Sequence, residues 1–405
     1  MTLAVVLLVS GLLNQIFVTT SEALAVNPAQ LALNSQGQRY CRLLSVAGTF
    51  YNNSFTFAQY NRYTGIFLDR RDKDDILRSV PREGLTAGAE ATAGVAELAF
   101  GSCAVAIRTE AAATVLLPKE LLELALDGNE IDRMYAGEAM AMTQVFSRAG
   151  VGIGSGVGRS LTVGFGGHVI KGHWCAELRR LKVEFAATPS RITGSVLGVY
   201  RVANGGQGWA LDIGATWRSA DWLVSGALLD VSQGIDWTVD VREVEYYASF
   251  DSVTLYDITR GAGLLNTSEL TNGGFTTTLP AKVNLGLGRR VTDMFSTGLL
   301  FFSRCDLDPF HVRCWRLVSV TEVWPVRWLP VACSFEFDSR NGFGAGIDGA
   351  FLLHRLAVRL GLTDVGGLLM GAKGFGLKLS LEYIEPFRHK NSSATNALRI
   401  GTYGS

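Results

Sequence analysis

The chain has 405 residues, 48% of them hydrophobic, and Lys+Arg and Asp+Glu each number 37. That balance leaves no net charge to attract nucleic acid or an acidic partner, and no nucleic-acid role is expected. Mean hydropathy of +0.20 is high for a soluble chain, yet beyond the N-terminus no apolar run approaches the ~18 residues that a membrane helix needs.

The apolar residues must therefore be spread by alternation, which is the pattern of a membrane-spanning β-barrel. Glycine numbers 46 and proline 9. Glycine permits the twist and close backbone approach that barrels use, whereas proline deletes a ladder hydrogen bond.

The N-terminus reads as an export signal. Leu3–Val9 and Leu12–Leu13 form an apolar core, and Ala23-Leu24-Ala25 has the small-x-small form of a cleavage site. Residues 1–25 are thus expected to be a cleavable signal peptide, and residues 26–405 a single barrel domain. No Lys or Arg occurs before Arg39, which makes the signal atypical or its start internal.

Two strand-like pieces follow, Leu43–Tyr51 and Ser54–Tyr60, and Arg70–Asp75 reads as a solvated loop. Glu90–Phe100 and Cys103–Leu117 alternate loosely and are rich in Ala. Pro118–Asp127 is the one convincing helix. Pro118 suits the first turn, Glu120 and Glu123 suit its positive end, and Gly128 ends it. It either packs at a barrel mouth or is a plain helical excursion between strands. Gly152-Ile153-Gly154-Ser155-Gly156 lies within continuing strand pattern, so a dinucleotide loop, which needs a following helix, is not expected.

The clearest strand is Trp209–Trp217. Trp209, Leu211, Ile213, Ala215 and Trp217 share one face, and Ala210, Asp212, Gly214, Thr216 and Arg218 share the other. At ~3.3 Å per residue the two tryptophans lie roughly 26 Å apart along the strand, and a tilt of about 40° reduces this to ~20 Å of height, close to the apolar band of a barrel between its aromatic girdles. Ser219-Ala220-Asp221 turns the chain and Trp222–Val231 runs back. Val239–Thr278 is a long polar excursion, read as an extracellular loop with its own hairpin.

Alternation resumes through Val283–Gly288, Phe295–Phe302, Leu317–Trp324 and Trp328–Phe337, and is cleanest near the C-terminus. There Phe375, Leu377, Leu379, Leu381 and Tyr383 oppose Lys378, Ser380 and Glu382. If His354-Arg355 is a two-residue turn, Leu353 pairs with Leu356, Phe351 with Val358 and Ile347 with Leu362. Asp348 then lies diagonal to Arg359, within ion-pairing reach. Asp212, Asp348, Arg359, Lys378 and Glu382 are the candidates to face the lumen.

Six cysteines occur, and an exported chain meets an oxidising compartment. Cys305 and Cys314 flank the loop 306–313 and are the disulfide candidates. His168 and His173 with Cys175, or Cys305 and Cys314 with His311, lack the tight paired spacing of a zinc site, so no metal is expected. No nucleophile elbow is present and no catalytic constellation is visible, so an enzyme is not expected. No cofactor is implied.

Asn27-Pro28-Ala29 resembles the N-P-A motif of the long-chain fatty-acid channel (FadL-type) and PorV-type outer-membrane barrels. Leu117–Asn129 and the series Asp212-Ile213-Gly214, Leu229-Asp230 and Gly234-Ile235-Asp236-Trp237 resemble an uncharacterised bacterial subgroup of that superfamily. The resemblance implies an all-β, antiparallel transmembrane barrel of about 14 strands (12–16) in the outer membrane. It also implies an N-terminal segment, residues 26–42, in the lumen. The partners implied are the lipid bilayer and a hydrophobic small-molecule ligand or a secretion machinery. Three functions follow: a channel for hydrophobic or other small molecules, a non-transporting scaffold for secretion or surface attachment, and a barrel-embedded hydrolase.

Overall fold

The computed structural model describes residues 21–34, 39–189, 191–253, 264–270, 273–292, 294–305, 315–326, 328–339, 342–363 and 373–385. In chain order its strands are β1 (Arg39–Asn52), β2 (Leu85–Phe100), β3 (Cys103–Leu117), β4 (Met134–Val157), β5 (Leu161–Ala187), β6 (Ile192–Ala203), β7 (Gly205–Ser219), β8 (Trp222–Val239) and β9 (Arg242–Val253). The second half adds β10 (Leu264–Leu270), β11 (Phe275–Thr277), β12 (Ala281–Thr292), β13 (Phe295–Cys305), β14 (Trp315–Val326), β15 (Leu329–Asp338), β16 (Gly342–Leu353), β17 (Leu356–Thr363) and β18 (Gly374–Glu385).

Antiparallel pairing runs from β1 through β2, β3, β4, β5, β7, β8 and β12. It continues through β13 to β18 and returns to β1, from Arg39↔Glu385 to Tyr51↔Gly374. The result is a closed barrel of 14 strands. Closure matters in lipid, because an open edge would leave backbone N–H and C=O groups without water or a partner.

Four strands stand outside the ring: β6, β9, β10 and the three-residue β11, which pairs with β8. β5 pairs with β7 up to Gly172↔Gly206, then changes partner and pairs with β6 from Cys175↔Ala203. β4 follows β5 along its whole length, β9 pairs with β6, and β10 with β9. A sheet therefore continues past the barrel rim. The hairpin expected within Val239–Thr278 is β9 and β10, and it is an extension of the wall rather than a separate loop.

Sidedness follows the alternation. Trp209, Leu211, Ile213 and Trp217 are each 44–53% exposed on the outer face, while Ala210, Asp212 and Thr216 are buried inside. Outward aromatic residues pair near the two rims, Trp328 with Phe351 and Trp315 with Phe337. The β16–β17 register is Leu353↔Leu356, Phe351↔Val358 and Ile347↔Leu362, as the two-residue turn requires. His354 accommodates that turn with φ of 55°, in the left-handed region.

One end of the barrel carries the short connections, such as Gly101-Ser102, Ala220-Asp221 and His354-Arg355, together with the start of β1. The other carries the long ones, which is the external end in barrels of the outer membrane.

Helices occupy two segments read otherwise from sequence. Ser54–Tyr60 is not a strand. Phe57–Tyr63 is a helix opened by a capping box, in which the Gln59 N–H donates to Thr56 Oγ1 (3.1 Å) and the Thr56 N–H to Gln59 Oε1 (3.0 Å). Arg70–Asp75 is not a loop. Arg70–Ser79 is a helix with Asp69 and Asp72 in the same reciprocal arrangement, and Ile76 and Leu77 are its buried face. Local capping satisfied the first-turn donors, and a short buried stripe supplied the rest. The expected helix spans Lys119–Asp127 with Pro118 as its N-cap, and it packs on β4 at the mouth. Gly137 of β4 makes room there, since a Cβ would lie 2.9 Å from Pro118 Cβ and 3.1 Å from Leu121 Cγ.

Candidate functional site

The lumen is occupied at mid-height by the chain's own N-terminal segment. A one-turn helix (Ala23–Val26) and a 3-10 stretch (Pro28–Asn34) lie inside the ring. Ser21, Ala23, Ala29, Gln30 and Leu31 are wholly inaccessible. This plug begins and ends earlier than the 26–42 read from sequence, because Arg39 onward is wall strand.

One flank of the plug is held by shape. Pro28–Asn34 lies on β4, β5 and β7, where glycines face inward. A Cβ on Gly164 would lie 2.3 Å from Ala29 N, one on Gly154 2.5 Å from Ala32 N, and one on Gly214 2.0 Å from Asn27 Oδ1. Only a wall without side chains lets the two backbones approach so closely. The G-x-G-x-G run noted in the sequence is part of this seat.

Asn27 fixes the position. Its Nδ2 donates toward Ala215 O (3.1 Å), Thr216 Oγ1 (3.1 Å) and Gly226 O (3.2 Å), while its Oδ1 accepts from Ala29 N–H (2.9 Å). Pro28 has no N–H to satisfy, and Ala29 is small enough to lie against Gly164. Each residue of the Asn27-Pro28-Ala29 motif thus has a packing or hydrogen-bonding reason here.

The other flank is held by charge. Arg42 of β1 is 3.0 Å from Glu97, 3.3 Å from Glu382 and 2.8 Å from Glu22 of the plug. Lys378 Nζ also reaches Glu22 (2.8 Å), Arg108 Nε reaches Glu97 (2.6 Å), and Arg359 Nε reaches Glu382 (2.7 Å). Ser21 Oγ donates to Glu97 (2.9 Å), and Ser380 Oγ to Glu382 (2.9 Å). Burial alone would raise the Glu22 carboxyl, but Arg42, Lys378 and Arg359 outweigh it and hold that carboxyl far below the usual range.

Above the plug, toward the long-loop end, the lumen is open but small. Two adjoining cavities of about 90 and 60 Å³ share Glu110, Arg148, Asp230 and Lys282 in their walls, and the lower one ends on Leu24 and Ala25 of the plug. These volumes hold a few waters each. Their charges pair with one another: Arg148 with Asp230 (2.6 Å) and Glu110 (2.8 Å), Lys282 with Asp230 (2.7 Å), and Arg304 with Glu90 (3.2 Å). An apolar shelf closes one side, with Trp237 fully buried and its Nε1 donating to Thr277 Oγ1 (2.9 Å).

Three β-bulges aim the charges. Ala96 (φ 52°) shifts the register, so Glu97 turns inward while Val95 and Leu98 both face lipid. Asp230 (φ 56°) does the same in β8, leaving Leu229 and Asp230 both inside. Its freed N–H donates to Asp212 Oδ1 (2.8 Å). In β1 the break lies between Arg42 and Leu44. Bulges re-aim a side chain at the expense of one ladder pair.

Of the residues singled out from sequence, Asp212, Asp348, Arg359 and Glu382 are buried inside the barrel, and Lys378 reaches Glu22 there. Glu382 and Lys378 meet the plug hub, and Asp212 Oδ2 accepts from His168 Nε2 (2.5 Å). Asp348 lies opposite Gly361, and Arg359 Nε reaches Glu382 (2.7 Å). His168 faces the lumen whereas His173 is exposed beside Ser147 Oγ (2.7 Å), so that pair does not converge. Cys314 and His311 lie outside the described residues, and with them the pairing expected for Cys305. Arg42, Glu97, Arg108 and Arg148 were not singled out, and Asp230 was noted only within a resemblance and not as lumen-facing, since bulges break period two around them.

Residues 194–361 match a family model described as a family of unknown function (DUF5723). No curated protein matches the chain in sequence. Among solved structures, the toluene transporter TodX of Pseudomonas putida aligns over 92% of this chain and 96% of its own at 9% identity, with a TM-score of 0.47. A FadL homologue of Pseudomonas aeruginosa aligns over the same shares at 11% identity and 0.47. The monoaromatic hydrocarbon channel CymD covers 96% of this chain and 100% of its own at 11% identity and 0.43. At such values these likenesses say nothing of what this barrel carries.

Proposed function

We propose that the chain is an outer-membrane channel for small polar molecules, closed in this conformation by its own N-terminal plug. The observation that carries the reading is the line of charged side chains from the long-loop mouth through Arg304, Glu90, Arg148 and Asp230 down to Ala25 of the plug. A path for apolar molecules would need an apolar lining, because burying a hydrocarbon against desolvated ion pairs gains little and strands polar groups. The paired charges instead offer donors and acceptors that can be exchanged for those of a polar solute.

Cavities holding only a few waters do not pass a solute, so transport requires the plug to move. The glycine seat makes this testable. In liposome-swelling and planar-bilayer assays the wild-type barrel should stay near its closed level, and Gly164→Val should open it to small polar solutes. A folded, heat-modifiable Gly164→Val barrel that conducts no ions and swells in no sugar or amino acid would overturn the reading.

A further inference from the structure

Ala23-Leu24-Ala25 has the form of a signal-peptidase site, yet the fold uses those residues as a part of the lumen. Ser21 and Glu22 bind three different wall strands: Ser21 Oγ donates to Glu97 of β2, and the Glu22 carboxylate meets Arg42 of β1 and Lys378 of β18, each at 2.8 Å. Glu22 is the ion-pair partner of Lys378 among the described residues. Leu24 fits a notch in β4, where a Cβ on Gly152 would lie 2.2 Å from Leu24 Cδ2. The one-turn helix is closed by Asn27 N–H donating to Ala23 O (2.9 Å).

A cut after Ala25 would undo each of these contacts. Arg42 and Lys378 would lose a carboxylate inside the barrel, the Gly152 notch would stand empty, and the Asn27 N–H would lose its acceptor. The cut would also create a charged ammonium at Val26, a residue 8% exposed whose carbonyl accepts from Asn284 Nδ2 (3.0 Å). Burying that new charge carries a desolvation cost that the uncut backbone amide does not. A peptidase also needs its site in extended, accessible form, but the relevant state is the unfolded precursor. The folded contacts therefore select which product builds this lumen, not which precursor can be cut.

We infer that the mature protein retains Ser21–Ala25, with any processing of the N-terminus falling before Ser21. The retained residues make the plug a two-flanked element, tied by ion pairs on one side and by shape on the other.

The test is direct because no Lys or Arg precedes Arg39. Protein expressed from its own gene and purified from outer membranes is digested with trypsin, and the N-terminal peptide ending at Arg39 is identified by mass and sequenced. A first residue at or before Ser21 is expected. A peptide beginning anywhere from Glu22 to Val26 overturns the inference. As a second readout, Glu22→Gln should lower the temperature of heat-modification by several degrees. No shift at all, with the wild-type mature protein recovered unchanged, would overturn it as well.

Discussion

The two flanks of the plug show two ways of holding a segment inside a barrel. On the β4–β5–β7 side the contact is made by absence: glycines leave a trough, and Asn27 makes directional bonds across it. On the β1–β2–β18 side it is made by charge, with Arg42 bridging Glu22, Glu97 and Glu382. Steric fit is indifferent to pH and falls off within an ångström. Ion pairs reach further, tolerate movement and depend on protonation. A segment held in both ways is fixed in register by one flank and releasable by the other.

The steric flank is the more sensitive of the two. Gly164→Val should cost roughly 1–3 kcal/mol or more, since the added carbons meet plug backbone rather than a yielding side-chain tip. It should raise open-channel probability in bilayers. Gly156, one strand turn away on β4, has nothing within 4 Å of a built Cβ, and Gly156→Ala should leave conductance unchanged. Equal effects at the two glycines would mean that the trough is not what seats the plug.

Asn27→Ala comes next. It deletes one amide that serves three acceptors, and roughly 2 kcal/mol of docking free energy should go with it. Single-channel recording should then show brief openings, whereas an unaltered closed level would assign the register to packing alone.

On the charged flank Glu22→Gln should cost about 1–3 kcal/mol, because it leaves Arg42 and Lys378 short of one carboxylate in a largely buried hub. Arg42 keeps Glu97 and Glu382, so the effect should be smaller than at Gly164. Thermal unfolding followed by heat-modifiability would rank the two.

The smallest expected effect is that of mild acid. The docked Glu22 carboxyl is held below its ordinary value near 4.5. Its contribution is therefore present in full above that value and is lost as pH falls through the docked pKa. Between pH 7 and 5 the wild-type plug should not loosen. Openings should appear only in stronger acid, and Glu22→Gln should abolish that dependence. Acid-induced opening that persists in Glu22→Gln would move the titrating group elsewhere.

Much of the wall was legible in the residues. In β7 the outward Trp209, Leu211, Ile213 and Trp217 alternate without interruption, and in β16–β17 the register follows from a two-residue turn. The misread stretches are short helices. Ser54–Tyr60 alternates weakly, but Thr56 and Gln59 carried a capping-box signal that outweighed it. In Arg70–Ser79 the run of charges masked the small stripe of Ile76 and Leu77.

The barrel's outside can be read from the residues alone. Lipid is a uniform solvent, so every outward position asks for the same chemistry, and period two records it along the chain. The inside is set by contacts between distant strands. The lumen brings together residues far apart in sequence, such as Glu22, Arg42, Glu97 and Glu382, and bulges in β1, β2 and β8 turn Arg42, Glu97 and Asp230 inward. A bulge is a one-residue slip whose cause lies across the ring. No local pattern reports it, because the partner that repays the broken ladder pair belongs to another strand.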